Sequence, residues 1–216
     1  MPDQSTPVNV QDGRYLVRDC AALASLYGAP PEASLKKEVD HVHAHYRALI
    51  EAAPFVVLAT SGPGGLDASP RGGPAGFVVV ENEKTLLLPD RRGNNRVDSL
   101  ANIVTDPRVA LLFLIPGIGE TLRVNGRADI SIDPTLLRRF AVGGREPRSV
   151  LVVHVETVYF QCSRAIARSR LWDPGTRIER SSLPSTGTIL SDLSNAAIDG
   201  QTYDQTQEQR VKATLY

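Results

Sequence analysis

The 216-residue sequence lacks several features that mark whole classes of protein. Its 24 basic and 24 acidic residues cancel, so it has no basic excess of the kind that nucleic-acid-binding domains carry. No apolar run approaches the ~20 residues that a membrane span needs. The polar start, residues 1–14, does not resemble a signal peptide. These absences predict a cytoplasmic protein that binds neither nucleic acid nor a membrane.

Cysteine and metal motifs are also scarce. Cys20 and Cys162 are the two cysteines and lie far apart in the sequence, so we expect no disulfide framework and two reduced, buried thiols. His41 and His45 stand four residues apart on a predicted helix, a spacing at which two histidines can share a metal ion. Because no HExxH glutamate accompanies them, we predict no metal site.

Apolar spacing predicts the fold class. Residues 33–53 have an apolar stripe with the three- and four-residue steps of a helix. Further along the chain, β-branched runs, a hairpin at 77–89 and a helix at 95–105 give about six short strands with one inserted helix. Since strands and helices do not alternate as in βαβ units, we predict a mainly β (α+β) domain, a six-stranded antiparallel split β-barrel with flanking helices.

The domain organisation follows from the same pattern. We predict a disordered N-terminus at 1–13, N-terminal helices at 14–54, the barrel domain at 55–180, and a helical tail at 181–216 that packs on the barrel or on a partner.

Two polar stretches are candidates for binding. Residues 89–96, PDRRGNNR, leave a strand and open a helix, and they combine arginine forks with a glycine and a helix N-terminus, all suited to an anion. Residues 69–74, SPRGGP, combine a strand end with tight-turning glycines. Taken alone, a solvated turn and an ordinary hairpin explain these stretches equally well.

The order of the motifs resembles one family. The blocks SPRG at 69–72, PDRRGNNR at 89–96, PG at 116–117, ETLRVNG at 120–126 and CSRAIARSRLW at 162–172 follow one another. This order resembles the pyridoxamine-phosphate-oxidase-like flavoproteins, most closely an uncharacterised bacterial subgroup that binds flavin mononucleotide (FMN).

The resemblance implies a cofactor site. The residues implied to bind FMN are Ser69, Arg71, Gly72, Pro89, Asp90, Arg91, Asn94, Asn95, Arg96, Thr121, Arg123, Arg164, Arg168 and Trp172. In this interpretation, Arg71 and residues 94–96 hold the flavin phosphate and residues 89–91 lie beside the isoalloxazine ring. Thr121 contacts the flavin from the same chain, and residues 164–172 of a second subunit close the site. The resemblance therefore implies a homodimer with the flavin at the interface.

The same resemblance implies an FMN-dependent oxidoreductase that passes a hydride or electrons between reduced nicotinamide, NADH or NADPH, and a small-molecule substrate. Arg91, Arg123 or a backbone N–H would stabilise the reduced flavin, and no catalytic acid or base is predicted. The oxidases' R-L-x-x-R-like substrate motif is missing, which argues against vitamin B6 oxidation. The alternatives are a non-catalytic flavin-binding or sensing protein and a reductase that uses the deazaflavin F420, whose longer tail favours a more extended basic groove.

Overall fold

A computed structural model describes residues 13–216 of the chain, and this described part divides after Lys37 into two compact units. In the first unit, a short 3-10 turn precedes α1 (Cys20–Tyr27) and α2 (Glu32–Lys36). Asp19 caps α1 by accepting a hydrogen bond from the Ala22 N–H at 2.8 Å, and Gly28 ends the helix with a φ of 71°. Apart from Gly13, the predicted disordered N-terminus lies outside the described residues.

One antiparallel sheet dominates the second unit. Its strands are β1 (Phe55–Gly62), β2 (Gly65–Gly72), β3 (Val79–Asn82), β4 (Thr85–Asp90), β5 (Arg108–Leu114), β6 (Thr121–Ser131) and β7 (Ser149–Gln161). The strand order is β2-β1-β5-β6-β7-β4-β3. The fold class is confirmed, but the sheet has seven strands rather than the six predicted, because both short strands of the predicted hairpin pair within it.

The sheet curls around one core. Alternate residues of β1 and β5, among them Val56, Leu58 and Phe113, are fully buried on its inner face. The curl brings the edge strand β2 back towards β4, which is sixth in the strand order, so that Arg71 forms an ion pair with Asp90. A flat sheet would hold these two strands about 24 Å apart at the usual strand spacing. The sheet is therefore an open split barrel with β2 and β3 as its edges.

Three helices of the second unit pack against strands of this sheet: α3 (Ala44–Ala52), α4 (Asp98–Thr105) and α5 (Pro134–Arg139). The others are α6 (Arg164–Ser169), α7 (Thr186–Leu193) and α8 (Gly200–Ala213), of which α7 and α8 pack against each other. In α4, Ser99 is buried and donates to Asp67 of β2 at 2.5 Å, while Asn102 donates to Thr60 of β1 at 3.1 Å. These bonds fix the start of α4 against the β1–β2 edge of the sheet. None of the helices within residues 13–216 combines the length and the apolar character that crossing a membrane requires.

The predicted helix over residues 33–53 is wrong, because the chain leaves helical geometry after α2 and regains it at α3. Between them, the Val39 N–H and C=O bond to Val158 of β7 at 3.0 and 2.7 Å. His43 caps α3 by accepting from the His45 N–H at 3.2 Å. His41 thus precedes the helix, and the helical pairing of His41 with His45 does not exist.

Three side chains differ in burial from what the sequence predicts. Cys20 and Cys162 are both exposed rather than buried. The apolar strand around His154 predicts a core or interface position, and the core position is wrong, because the side chain is exposed on β7 and lies 2.9 Å from Asp129. Within the described part of the chain, no three His, Cys, Asp or Glu residues form a group that could hold a metal ion.

Candidate functional site: an arginine-lined cleft

A cleft of about 580 Å³ opens between the ends of β2, β4 and β7 and the start of α4. This size lies within the range of small-molecule and cofactor sites. We call it the arginine cleft. Its lining residues are Ser69, Pro70, Arg71, Gly72, Phe77, Pro89, Asp90, Arg91, Arg92, Gly93, Asn94, Asn95, Arg96, Val97, Leu100, Arg148, Ser149 and Leu215. The structure thus brings together the two polar stretches that the sequence analysis singled out.

The edge strand β2 supplies one wall of the cleft. Ser69 and Arg71 pair with the buried Leu58 and Val56 of β1, so both side chains project from the inner face of the sheet. Pro70 projects from the opposite face, and its lack of an N–H is tolerated because β2 has a strand neighbour on one side only. The edge of β2 therefore leaves both side chains and main-chain groups available to a ligand.

Pairing of β4 with β7 supplies the second wall. Asp90 pairs with Ser149, and the Arg148 N–H donates to the Asp90 carbonyl at 3.2 Å. This places Arg148 in the cleft, where its guanidinium donates to the Asn95 side-chain oxygen at 2.9 Å. Arg148 was not predicted from the sequence, because it lies in a loop that matches no motif. Only the pairing of β4 with β7 brings it to the cleft.

The segment between β4 and α4 forms the rim of the cleft. The Arg91 guanidinium donates to the Phe140 carbonyl at 3.1 Å, and Asn94 accepts from the Arg96 N–H at 3.0 Å. Asn95 has a φ of 62°, in the left-handed region that asparagine tolerates better than most residues. The rim is thus a tight polar turn that directs arginines towards one cavity.

The arginine cleft is strongly positive although the whole chain is neutral. Five arginines and one aspartate line it. Asp90 compensates Arg71, and the side chains of this pair are only 13% and 20% exposed. Arg96 pairs with Asp98 at 2.5 Å, and this hydrogen bond raises the pKa of the Arg96 guanidinium. Arg91, Arg92 and Arg148 have no carboxylate partner among the described residues.

Arg71 carries the clearest sign of a missing ligand. Its Nη1 donates to Asp90, but its Nε is buried and has no hydrogen-bond partner. A buried donor without a partner costs about 1–3 kcal/mol. A phosphate at this position would satisfy the donor, so the chemistry of the cleft fits an anionic cofactor.

Two predicted residues of β6 do not line the cleft. Arg123 pairs with Leu112 of β5, which pairs with Val57 of β1. Val57 in turn pairs with Pro70, which projects from the outer face of the sheet, so Arg123 lies on that outer face too. Its guanidinium donates to the Tyr159 hydroxyl at 2.9 Å. Thr121 pairs with Gln161 on the same face and bonds its side chain at 3.2 Å. Both side chains thus project from the face opposite to Arg71.

The last of the sequence motifs, residues 162–172, also lies outside the cleft. Arg164 and Arg168 of α6 are exposed and form no ion pair with any described residue. The indole N–H of Trp172 donates to the Ile118 carbonyl, in the turn between β5 and β6, at 2.8 Å. These three residues sit near the Thr121 end of the sheet and make no contact with the cleft of their own chain.

The family follows from a comparison of the sequence. A family model described as pyridoxamine 5'-phosphate oxidase matches residues 42–162, more than half of the chain. The chain belongs to the pyridoxamine 5'-phosphate oxidase family. The matched segment includes β1 to β7 and with them every wall of the cleft except Leu215. No curated protein matches the sequence.

The solved structures that resemble this chain have low sequence identity to it. HupZ from Group A Streptococcus is 19% identical, with 56% of this chain and 94% of that chain covered and a TM-score of 0.45. General Stress Protein 26 from Bacillus anthracis is 20% identical, with 52% and 88% covered and a TM-score of 0.41. An FMN-binding protein from Syntrophomonas wolfei is 11% identical, with 53% and 82% covered and a TM-score of 0.42.

Proposed function

We propose that the chain binds FMN in the arginine cleft. The observation that carries the proposal is the buried, unpartnered Nε of Arg71 in a positive cavity of cofactor size. Membership of the pyridoxamine 5'-phosphate oxidase family supports it. Arg71, Arg96 and Arg148 would hold the phosphate, because arginine forks match its oxygens. The apolar Phe77, Val97 and Leu100 offer surface to a ring system.

The proposed activity is that of an oxidoreductase. Bound flavin would accept a hydride or electrons from NADH or NADPH and pass them to a small molecule. The residues of the chain would bind and orient the cofactor and exclude water from it. A flavin-binding or sensing protein without turnover would use the same cleft, so the two functions differ in the response to reductant.

The complete site, in this proposal, needs two copies of the chain. Thr121 and Arg123 project from the face opposite to Arg71, and Trp172 bonds to the turn that precedes Thr121. In a homodimer, the outer face of one copy would cover the cleft of the other. The predicted contact of Thr121 with the flavin would then come from the second copy rather than from the same chain.

The test measures FMN binding to the purified protein and to Arg71→Lys, by visible absorbance and fluorescence quenching. Lysine keeps the charge beside Asp90 but removes the Nε donor. We expect about tenfold weaker FMN binding, the value of one charge-assisted hydrogen bond. Arg138→Lys is the matched control, since Arg138 is exposed on α5 and outside the cleft.

The outcomes separate the alternatives. A colourless protein without affinity for FMN would exclude the proposal, and so would an Arg71→Lys variant that binds FMN like Arg138→Lys. Bleaching of bound flavin by NADH or NADPH would establish the redox activity, whereas flavin that neither reductant bleaches would favour the sensing protein. Mass spectrometry of the released cofactor would distinguish FMN from F420.

A further inference from the structure

A second cavity of about 250 Å³ continues the arginine cleft towards the C-terminal segment. It shares Arg91, Arg92 and Arg148 with the cleft and adds residues from the loop before β7 and from the segment around the end of α8. We call it the distal arginine pocket. Its lining residues are Arg91, Arg92, Arg145, Glu146, Pro147, Arg148, Ala213 and Tyr216.

Charge distinguishes the distal arginine pocket from the rest of the cleft. Arg71 and Arg96, which line only the cleft, are each paired with an aspartate. The four arginines of the distal pocket form no ion pair with any residue between Gly13 and Tyr216. Glu146 is the one acidic side chain among its lining residues. The uncompensated positive charge therefore lies at the distal end of the groove, beyond the Arg71 site proposed for the flavin phosphate.

Hydrogen bonds and a ring contact orient two of these guanidinium groups. Arg91 bonds to the Phe140 carbonyl at 3.1 Å and lies over the Tyr216 ring, 5.2 Å from its centroid. Arg145 donates to the main-chain oxygen of Tyr216 at 2.8 Å. Each guanidinium has five N–H donors, so these contacts orient the arginines and leave further donors for a ligand.

We propose that the distal arginine pocket binds a second anionic group, a phosphate or a carboxylate, beyond the flavin phosphate. Guanidinium forks recognise both groups bidentately. Two sources carry this chemistry. One is the tail of a cofactor longer than FMN, such as the oligoanionic tail of F420, and this source rests on the proposed flavin site. The other is the anionic group of a separate substrate molecule.

The test titrates inorganic pyrophosphate into FMN-saturated protein by isothermal calorimetry. FMN then occupies the first phosphate site, so pyrophosphate reports on the distal pocket. We expect one pyrophosphate per chain and at least about fivefold weaker binding to Arg145→Gln, because one arginine fork is lost. Arg138→Gln removes the same charge from the exposed surface of α5, outside both cavities, and should bind as the wild type does.

Three results decide the proposal. Absence of pyrophosphate binding, or equal binding by Arg145→Gln and Arg138→Gln, would overturn it, provided that thermal unfolding shows both variants folded. If Arg145→Gln weakens F420 binding but leaves FMN binding unchanged, the pocket takes the cofactor tail. If it weakens pyrophosphate binding alone, the pocket takes a group of a separate molecule.

Failure of the flavin proposal would be visible separately. If the protein does not bind FMN, the same titration is made without it on Arg145→Gln and Arg138→Gln. If Arg145→Gln then binds pyrophosphate more weakly and Arg138→Gln does not, the distal-pocket proposal is supported although the flavin proposal is rejected. Equal affinity of these two variants would reject both.

Discussion

At Gly126 the main chains of β6 and β7 approach each other closely. It lies on β6 where the register with β7 shifts, and a Cβ added to it would lie 2.0 Å from the His154 carbonyl oxygen. Since the neighbouring atom is backbone, alanine forces the two strands apart. We expect Gly126→Ala to lower the free energy of unfolding by about 1–3 kcal/mol, the usual cost of overpacking, measured by urea denaturation.

Gly64→Ala is the control for this prediction. An added Cβ there meets nothing within 4 Å, in the turn between β1 and β2. We expect a change within about 0.5 kcal/mol, as for most surface substitutions. Equal stabilities of the two variants would mean that the strands are not in the close contact seen here.

Single residues also show what the sequence could predict of the site. Arg71 and Arg96 were predictable, because each stands in a block whose composition alone is suited to anions and whose order matches a family. Arg148 was not, since only the pairing of Asp90 with Ser149 brings it to the cleft. Thr121 was predicted for the flavin site of its own chain, but the alternation of a strand puts it on the opposite face from Arg71.

At the scale of elements, the segment before α3 is held to the β3–β4 hairpin by Asp40. Its carboxylate lies 2.8 Å from the Lys84 ammonium and 3.0 Å from the His41 ring nitrogen. The hydrogen bond from Lys84, helped by that from His41, lowers the pKa of Asp40 from 3.8 to about 2. Because the folded pKa is depressed, the pair stabilises the fold above pH 3.8 and loses this effect as the pH falls through about 2.

Asp40→Asn tests this link. The wild type should exceed the variant in unfolding free energy by a constant amount above pH 3.8, and the difference should shrink as the pH falls to about 2. Chemical denaturation at a series of pH values measures it. In a Lys84→Gln background the same substitution should have a smaller effect. A difference between wild type and Asp40→Asn that is independent of pH would contradict the prediction.

This segment also explains the main error in the predicted elements. Val39, Val42, Tyr46 and Ile50 have helical spacing, and all of them do contact the core, as the apolar stripe suggested. Val39, however, does so through an isolated bridge to Val158 of β7. Spacing predicts which residues are buried more securely than it predicts their backbone conformation, because a strand bridge depends on a partner more than 100 residues away.

The second unit combines a positively charged cleft with an outer sheet face that carries apolar side chains. Val109, Leu111 and Phe113 of β5 are buried in the core of their own chain. The other face of this strand pairs Leu112 with Val57 on one side and Arg123 on the other. A homodimer would therefore use this outer face, the one that carries the predicted flavin contacts missing from the cleft.

Leu112→Glu tests the dimer and the flavin site together. Light scattering at micromolar concentration should give a dimer for the wild type. A carboxylate in the middle of the outer face would have to be desolvated at the interface, so we expect a monomer. FMN affinity should fall as well, because Thr121 and Arg123 of a second copy could no longer reach the cleft. Leu26→Glu makes the same chemical change at a side chain 66% exposed on α1, and it should change neither mass nor affinity. If Leu112→Glu is monomeric and binds FMN as tightly as Leu26→Glu, the cleft is complete within one chain and the outer face has no part in it.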